Sequence, residues 1–451
     1  MLMRLRTVAG LVVPVVIAMA FICESKPARA ETGDCTTWTA QILNQTDVTR
    51  FVSALLSGQD SLSDDPELIC EQLRQSAAEL EDAVDELALN QRFAEAHDRL
   101  VAYIADHPDS SSHLLAKVEE FRVWDAQERL PLVPAPAAKH LFTHSTIIQT
   151  KLAFDRDFES AGYDKWMVTT REFASILQQL YDRKYVLIDI RSLVAGNPGV
   201  ALRQAEIRLP AGRTPLILSF DDVNYYAYMS KDGFAVNLTI DDDHEIANTY
   251  RDDTGKLNIG TQQDVVPMLE EFILQHPDFS WRGAKGIIAV TGYEGVLGYR
   301  TQPANKQTAR YATDMADVRE VVRLAKLRGW QFASHSYSHG SGWFDKTATI
   351  GAVRADVARW KAEVEPIVGQ TRVFIGPFGT IWNDGDARRF ALVAAGFDIL
   401  CGVDAAQTIR VTNSSLTMGR LNVDGFRMKR TPALLAPFFD VRSTIDPARP
   451  R

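Results

Sequence analysis

The chain has 451 residues, 46% of them hydrophobic and 24% charged, with four cysteines and a formal net charge of -9. That length is too great for one compact core, so more than one unit is expected. The acidic balance, without any run of Lys and Arg, argues against nucleic acid or an anionic membrane as partner, because both select clustered basic side chains.

The first 30 residues set the compartment. Arg4 and Arg6 precede an apolar stretch over residues 8–22, and Ala28-Arg29-Ala30 places small residues at the two positions a signal peptidase reads, so residues 1–30 are expected to be a signal peptide cleaved near Glu31. A secreted, cell-surface or periplasmic protein follows. A lipoprotein reading through Cys23 meets the bulky Ile22 where a small residue is needed. The run is short for a retained membrane span, and no other segment approaches that length. Cleavage removes four bases and one acid, taking the net charge to -12. Cys35 and Cys70 then share the amino-terminal region of an exported chain and are candidates for a disulfide, whereas Cys401, inside an apolar strand-like run, is expected to be a buried thiol.

Residues 31–135 read as a small helical region and linker. Leu73, Ala77, Leu80, Val84 and Leu87 recur at alternating steps of four and three with acids between them, a packing stripe expected to form a bundle or hairpin covering part of the barrel proposed below. The Pro- and Ala-rich stretch 130–138 reads as a stiff connector.

Residues 136–451 alternate short β-rich runs with amphipathic stretches, the pattern of a parallel sheet with covering helices and seven or eight strands. Residues 140–145 form the first strand, ending at His144. Thr169 and Glu172 fit a capping box for a helix whose apolar face is Phe173, Ile176, Leu177 and Leu180, and residues 185–190 follow as a buried strand. The next strand, 214–220, ends in Asp221-Asp222, with Asn224, Tyr225, Tyr226 and Tyr228 just beyond. Residues 233–260 read as a β-hairpin whose turn, Asp241-Asp242-Asp243, is a solvated turn before it is a calcium site. A glycine-rich loop over residues 291–300 carries Arg300. Strand 330–334 leads into His335-Ser336-Tyr337-Ser338-His339 and then Trp343, and strand 372–375 into Gly376-Pro377-Phe378-Gly379. A helix follows with Val353, Val357, Trp360 and Val364 on one face, placed between these last two strands.

Taken alone, an Asp-Asp pair is most often a solvated turn or helix start. Here the acids, the two histidines and the Pro-Phe turn each follow a separate strand-like run, and residues at equivalent strand ends of an α/β fold converge on one mouth. One carboxylate and two imidazoles make a divalent-metal site. The His-x-x-x-His spacing suggests both rings on one side of a helical turn, with coordination positions left open for water and substrate.

In order, type and spacing these residues resemble the polysaccharide deacetylases with a NodB-homology domain, carbohydrate esterase family 4. Ser219-Phe220-Asp221-Asp222 is similar to the family's Thr-Phe-Asp-Asp motif, His335 and His339 to its histidine pair, and Pro377-Phe378 to its Pro-Phe/Tyr motif, over roughly residues 136–440. The resemblance implies a distorted or incomplete (β/α) barrel, one divalent metal ion, zinc first, held by Asp222, His335 and His339, Asp221 as base, and the Phe378 N–H as oxyanion donor. Two departures stand out. Ile375 occupies the place of the arginine that tethers the base in the family, and Arg300 is a candidate substitute, set against an ordinary surface arginine. No histidine follows His339, so the family's late general acid is missing; His144 is a candidate replacement, set against a hydrogen-bonded structural histidine. Tyr225, Tyr226 and Trp343, as sugar-stacking rings, and Pro377 complete the expected substrate site. The implied activity is hydrolysis of N-acetyl groups on a glycan such as peptidoglycan, a chitin-like chain or an exopolysaccharide. An O-acetyl esterase or non-sugar amidohydrolase is the first alternative, and a catalytically silent glycan-binding protein the second.

Overall fold

The computed structural model describes Leu80, Val84 and residues 93–106, 112–125, 132–196 and 201–450. The signal segment, Cys35, Cys70 and most of the 73–87 stripe lie outside these described residues. The chain divides into two compact units, residues 1–126 and 127–451. In the first, α1 (Phe93–Asp106) and α2 (Ser112–Asp125) pack together, and Ala96, Leu100 and Leu114 close with Val84 over a small apolar core.

The second unit is a (β/α) barrel. Its strands are β1 (Lys139–Thr143), β2 (Tyr185–Leu187), β3 (Thr214–Phe220), β4 (Ile287–Val290), β5 (Gln331–Ser334), β6 (Val373–Ile375), β7 (Ile399–Val403) and β8 (Leu416–Asn422). Seven close a parallel ring in the order β4, β5, β6, β7, β8, β1, β3 and back to β4. The eighth, β2, takes only the first half of one edge of β3, pairing Tyr185–Leu187 with residues 214–216, while Ser219 and Phe220 on the same edge pair with β4. That shared edge makes the barrel distorted, as does the single residue pair, Ser334 with Phe374, that joins β5 to β6.

Strand alternation sorts the side chains into two layers. Leu216, Leu218 and Phe220 of β3 join Ile288, Val290, Phe374 and Leu400 in the layer that meets the helices. Ile217 joins Ala289, Ala333, Val373, Ile399, Cys401, Leu416 and Met418 inside the barrel. Cys401 is a buried free thiol as expected, its pKa pushed up to about 12 by burial. The capping box of Thr169 and Glu172 is formed and opens α3 (Thr170–Asp182), which buries Phe173, Ile176, Leu177 and Leu180. The outer layer continues with α4 (Val265–Gln275), α5 (Tyr311–Leu327), α6 (Ile350–Glu363) and α7 (Ala387–Ala394).

Two expectations change. The stretch read as a stiff connector becomes part of the barrel unit from Leu132 onward. Residues Leu132–Pro134 pair with Glu206–Arg208, and Ala135 and Ala138 are fully buried in the inner cluster, where small side chains fit between the apolar ends of the strands. The insertion is a three-stranded antiparallel sheet, Ala235–Ile240, Ile246–Arg251 and Leu257–Gly260, with one strand more than a hairpin. The Asp241 carboxylate accepts the N–H groups of Asp243 and Glu245, so the acidic triplet is a self-capped turn.

Candidate active site

The mouth lies at the carboxyl ends of the strands, where β3, β4, β5 and β6 release their loops. The inward register of β3 runs Ile217, Ser219, Asp221, so the first acid continues the barrel interior. It is buried, its N–H donates to the Thr143 carbonyl at 2.9 Å, and its carboxylate takes both arms of Arg420, at 2.7 and 3.0 Å. Burial alone would raise the pKa of Asp221; the Arg420 guanidinium reverses this and holds the carboxyl well below the usual range. Asp221 is therefore an ionised acceptor with a fixed orientation.

Arg420 is the residue that reading the sequence missed. It sits on β8 with no exposed surface, in the same inward register as Leu416 and Met418, and also donates to Ser219 Oγ at 3.0 Å while its guanidinium lies 4.1 Å from the Phe142 ring centre. Ser219 in turn meets the His140 Nε2 at 2.9 Å, and burial pushes that imidazole well below its ordinary pKa, so it is neutral. The signal was present in the sequence: a lone charge two and four residues after Met418 and Leu416 in an apolar strand must be buried, and a buried charge needs a partner. Arg300, the candidate tether, does not reach Asp221. Its guanidinium holds the Glu294 carboxylate and the carbonyls of Glu294 and Tyr225.

Asp222 departs from the strand direction with φ 57° and turns its carboxylate toward the histidines. Its Oδ2 lies 3.8 Å from Nε2 of His335 and 3.8 Å from Nε2 of His339, and no two ligand atoms of the three residues are more than 4.8 Å apart. Ligands about 2.1 Å from a shared ion sit at most about 4 Å apart, so the set closes on one divalent ion with shifts under about 1 Å. The supporting bonds fit the same assignment. His335 Nδ1 donates to the Ile375 carbonyl at 2.8 Å, which leaves Nε2 as the free donor atom, and burial lowers its pKa toward the neutral form that ligation needs. Tyr226 donates its hydroxyl to Asp222 Oδ1 at 2.6 Å, leaving Oδ2 as the ligand atom.

The histidine segment is not a helical turn. Ser336 and His339 have φ of 58° and 48°, and the loop is held by Asp356 of α6, whose carboxylate accepts Tyr337 N at 2.6 Å, Ser338 N at 3.0 Å and Ser338 Oγ at 2.5 Å. These bonds replace the backbone bonds a helix would supply. With Tyr225 at φ 50° and Phe378 at φ 56°, five non-glycine residues around the mouth adopt the left-handed region, a strain that collects where geometry serves function.

Phe378 sits in the tight turn Pro377–Gly379, with φ 56°. The turn's two hydrogen bonds run from Gly379 N to Gly376 O and from Thr380 N to Pro377 O, leaving the Phe378 N–H unused by the turn. The Phe378 ring lies 4.3 Å from that of His339, and Pro377, expected in the substrate site, is buried. His144 is half-buried, with Nδ1 3.2 Å from the Trp166 carbonyl.

Three expected stacking rings are in the core. Tyr225 is buried with its hydroxyl accepting from Asn248, and Tyr226 is buried as the Asp222 holder. Trp343 is buried against Phe374 and Trp382, with ring centres 5.5 and 4.8 Å away, because the short helix Ser341–Phe344 turns it inward and its neighbour Phe344 outward. Trp343→Ala is accordingly expected to lower stability by about 3–5 kcal/mol, and Phe344→Ala by less than about 0.5 kcal/mol, in urea unfolding. Equal losses would contradict this placement.

Fold and donor set together define a (β/α)-barrel protein with a candidate mononuclear Asp-His-His centre beside a tethered carboxylate. No model of a known protein family matches the chain, and no curated protein matches it. Among solved structures it is similar to a Streptococcus pyogenes deacetylase, PplD, in complex with acetate, at 14% identity and a TM-score of 0.37, over 70% of this chain and 100% of that one.

Proposed function

We propose that the protein is an exported, metal-dependent deacetylase that hydrolyses N-acetyl groups of a glycan. The observation that carries this reading is the division of labour between adjacent carboxylates. Asp222 faces two imidazoles with its Oδ2 free, while Asp221 is turned away onto Arg420 and is not among the ligand atoms. A pure binder has no need of a tethered base beside a metal-ligand triad. Export rests on the amino-terminal sequence; among the described residues no helix is long and apolar enough to cross a membrane.

Asp222, His335 and His339 would hold the ion, which supplies Lewis-acid polarisation of the acyl carbonyl and a water of lowered pKa. Asp221, kept ionised by Arg420, accepts the proton of the attacking water. The Phe378 N–H donates to the oxygen that becomes negative as the carbonyl carbon turns tetrahedral. His144, with Nδ1 donating to the Trp166 carbonyl, has Nε2 left to protonate the departing amine. Water and an N-acetyl group thereby give amine and acetate.

Asp221→Asn separates this assignment from a structural role. The variant is expected to keep its metal and lose at least about a hundredfold in acetate release, within the range for removing a general base. Measurement is by elemental analysis alongside an acetate assay on N-acetylglucosamine oligomers. Undiminished turnover would remove Asp221 from the mechanism.

A further inference from the structure

With Tyr225, Tyr226 and Trp343 buried, the rings that do reach solvent at the mouth are different ones, and they form two groups. Tyr226 lies between Tyr293 and Tyr228, with ring centres 5.0 and 6.0 Å away and planes within 19° and 8°, and these outer two rings are 40% and 45% exposed. They ride on the loops after β3 and β4. On the loops after β5 and β6, Phe344 and Phe378 meet edge to face at 5.3 Å and are 70% and 48% exposed. The metal triad lies between the groups: Tyr226 bonds Asp222 on one side, and Phe378 lies against His339 on the other.

We infer that these two aromatic platforms are sugar subsites flanking the metal, and that the unit deacetylated is an internal residue of a chain at least three pyranose units long. This inference rests on the deacetylase reading above. Exposed flat rings have an energetic reason to be covered, and the C–H face of a pyranose is an apolar surface of matching size whose hydroxyls stay hydrated at the edge. A ligand reaching one platform only would leave the other ring pair in water, whereas a chain crossing the triad covers both. The charges beside the tyrosines are acidic: Glu294 accepts the Ala227 N–H and Arg300, and Glu159 also lies near Tyr228. A neutral chain therefore fits better than a polyanion. The tyrosine stack has a second consequence: a sugar resting on Tyr293 or Tyr228 lies on a ring that itself stacks on Tyr226, the residue that orients Asp222, so chain binding and metal-ligand geometry are linked through one side chain.

The test uses the metal-loaded full protein with β-1,4- and β-1,6-linked N-acetylglucosamine oligomers of one to five units, comparing wild type with Tyr228→Ala and Phe344→Ala. Both rings are at the surface, and a melting curve verifies that each variant folds. The ratio of kcat/KM on the pentamer to that on the monomer is expected to be large in the wild type and to fall about tenfold in each variant, a change of about 1.4 kcal/mol. Mass spectrometry of the singly deacetylated pentamer should place the first free amine on an internal unit. Turnover with a ratio near one, or first removal at a chain end, overturns the subsites and leaves the deacetylase reading intact. If no oligomer turns over but calorimetric affinity still rises with chain length and falls in both variants, the deacetylase reading fails and the platforms stand. Neither turnover nor binding rejects both.

Discussion

Replacing His335 with alanine is expected to abolish metal binding and activity together. The wild-type protein should carry close to one equivalent of a zinc-like ion, and the variant essentially none, by elemental analysis after dialysis. The physical case is that three ligand atoms fix the ion and His335 is the most constrained of them. Its ring is buried, its N–H donates to the Val290 carbonyl at 3.0 Å, and its Nδ1 is committed to Ile375. The two remaining ligands, Asp222 and His339, both sit on left-handed backbone and leave no preformed site. Metal that binds the folded protein alone also stabilises it, by about 2.7 kcal/mol at a hundredfold excess over Kd. Added zinc should therefore raise the melting temperature of the wild type and leave that of His335→Ala in place. Equal zinc content in both proteins would move the centre elsewhere.

Much of the fold was legible because periodicity and capping act locally. The Thr169–Glu172 capping box, the apolar face of α3 and the strands that end at Asp221 and His335 are set by residues a few positions apart, and the structure shows each of them. The candidate metal triad was legible for a related reason, since its members stand just past strand ends, Asp222 after β3 and His335 and His339 after β5. What stayed hidden depends on which way a loop turns. Nothing local distinguishes Trp343, which turns inward, from Phe344, which turns outward, or predicts that Tyr226 would be spent on Asp222 while Tyr228 is left at the surface. The helical reading of residues 335–339 failed likewise, because its decisive partner is Asp356 on α6, 17 residues beyond His339 in the chain.

The tether shows the same limit and yields the second large effect. The family resemblance pointed to position 375, where this chain has isoleucine, and the structure supplies the charge from β8, some 200 residues from Asp221 in sequence and bidentate on it in space. Position 375 has a task of its own, since the Ile375 carbonyl fixes the His335 tautomer. Arg420→Met is expected to destabilise the protein by about 3–5 kcal/mol, the range for leaving one member of a buried ion pair without its partner. The pH dependence carries the sign. Asp221 has its pKa depressed in the folded state, so the pair's contribution is present above the unfolded value of about 3.9 and is lost as pH falls through the folded one. Without Arg420, burial dominates and the Asp221 pKa rises. The stability deficit of the variant should then be largest near neutral pH and shrink in acid, and the acid limb of its kcat profile should move to higher pH. Arg420→Lys keeps the charge but loses the fork that grips both oxygens, and should fall between the two. A double variant, Asp221→Leu with Arg420→Met, removes both charges and should be more stable than Arg420→Met while inactive. An unshifted acid limb in a folded Arg420→Met protein would mean that this arginine holds the barrel together without tuning the base.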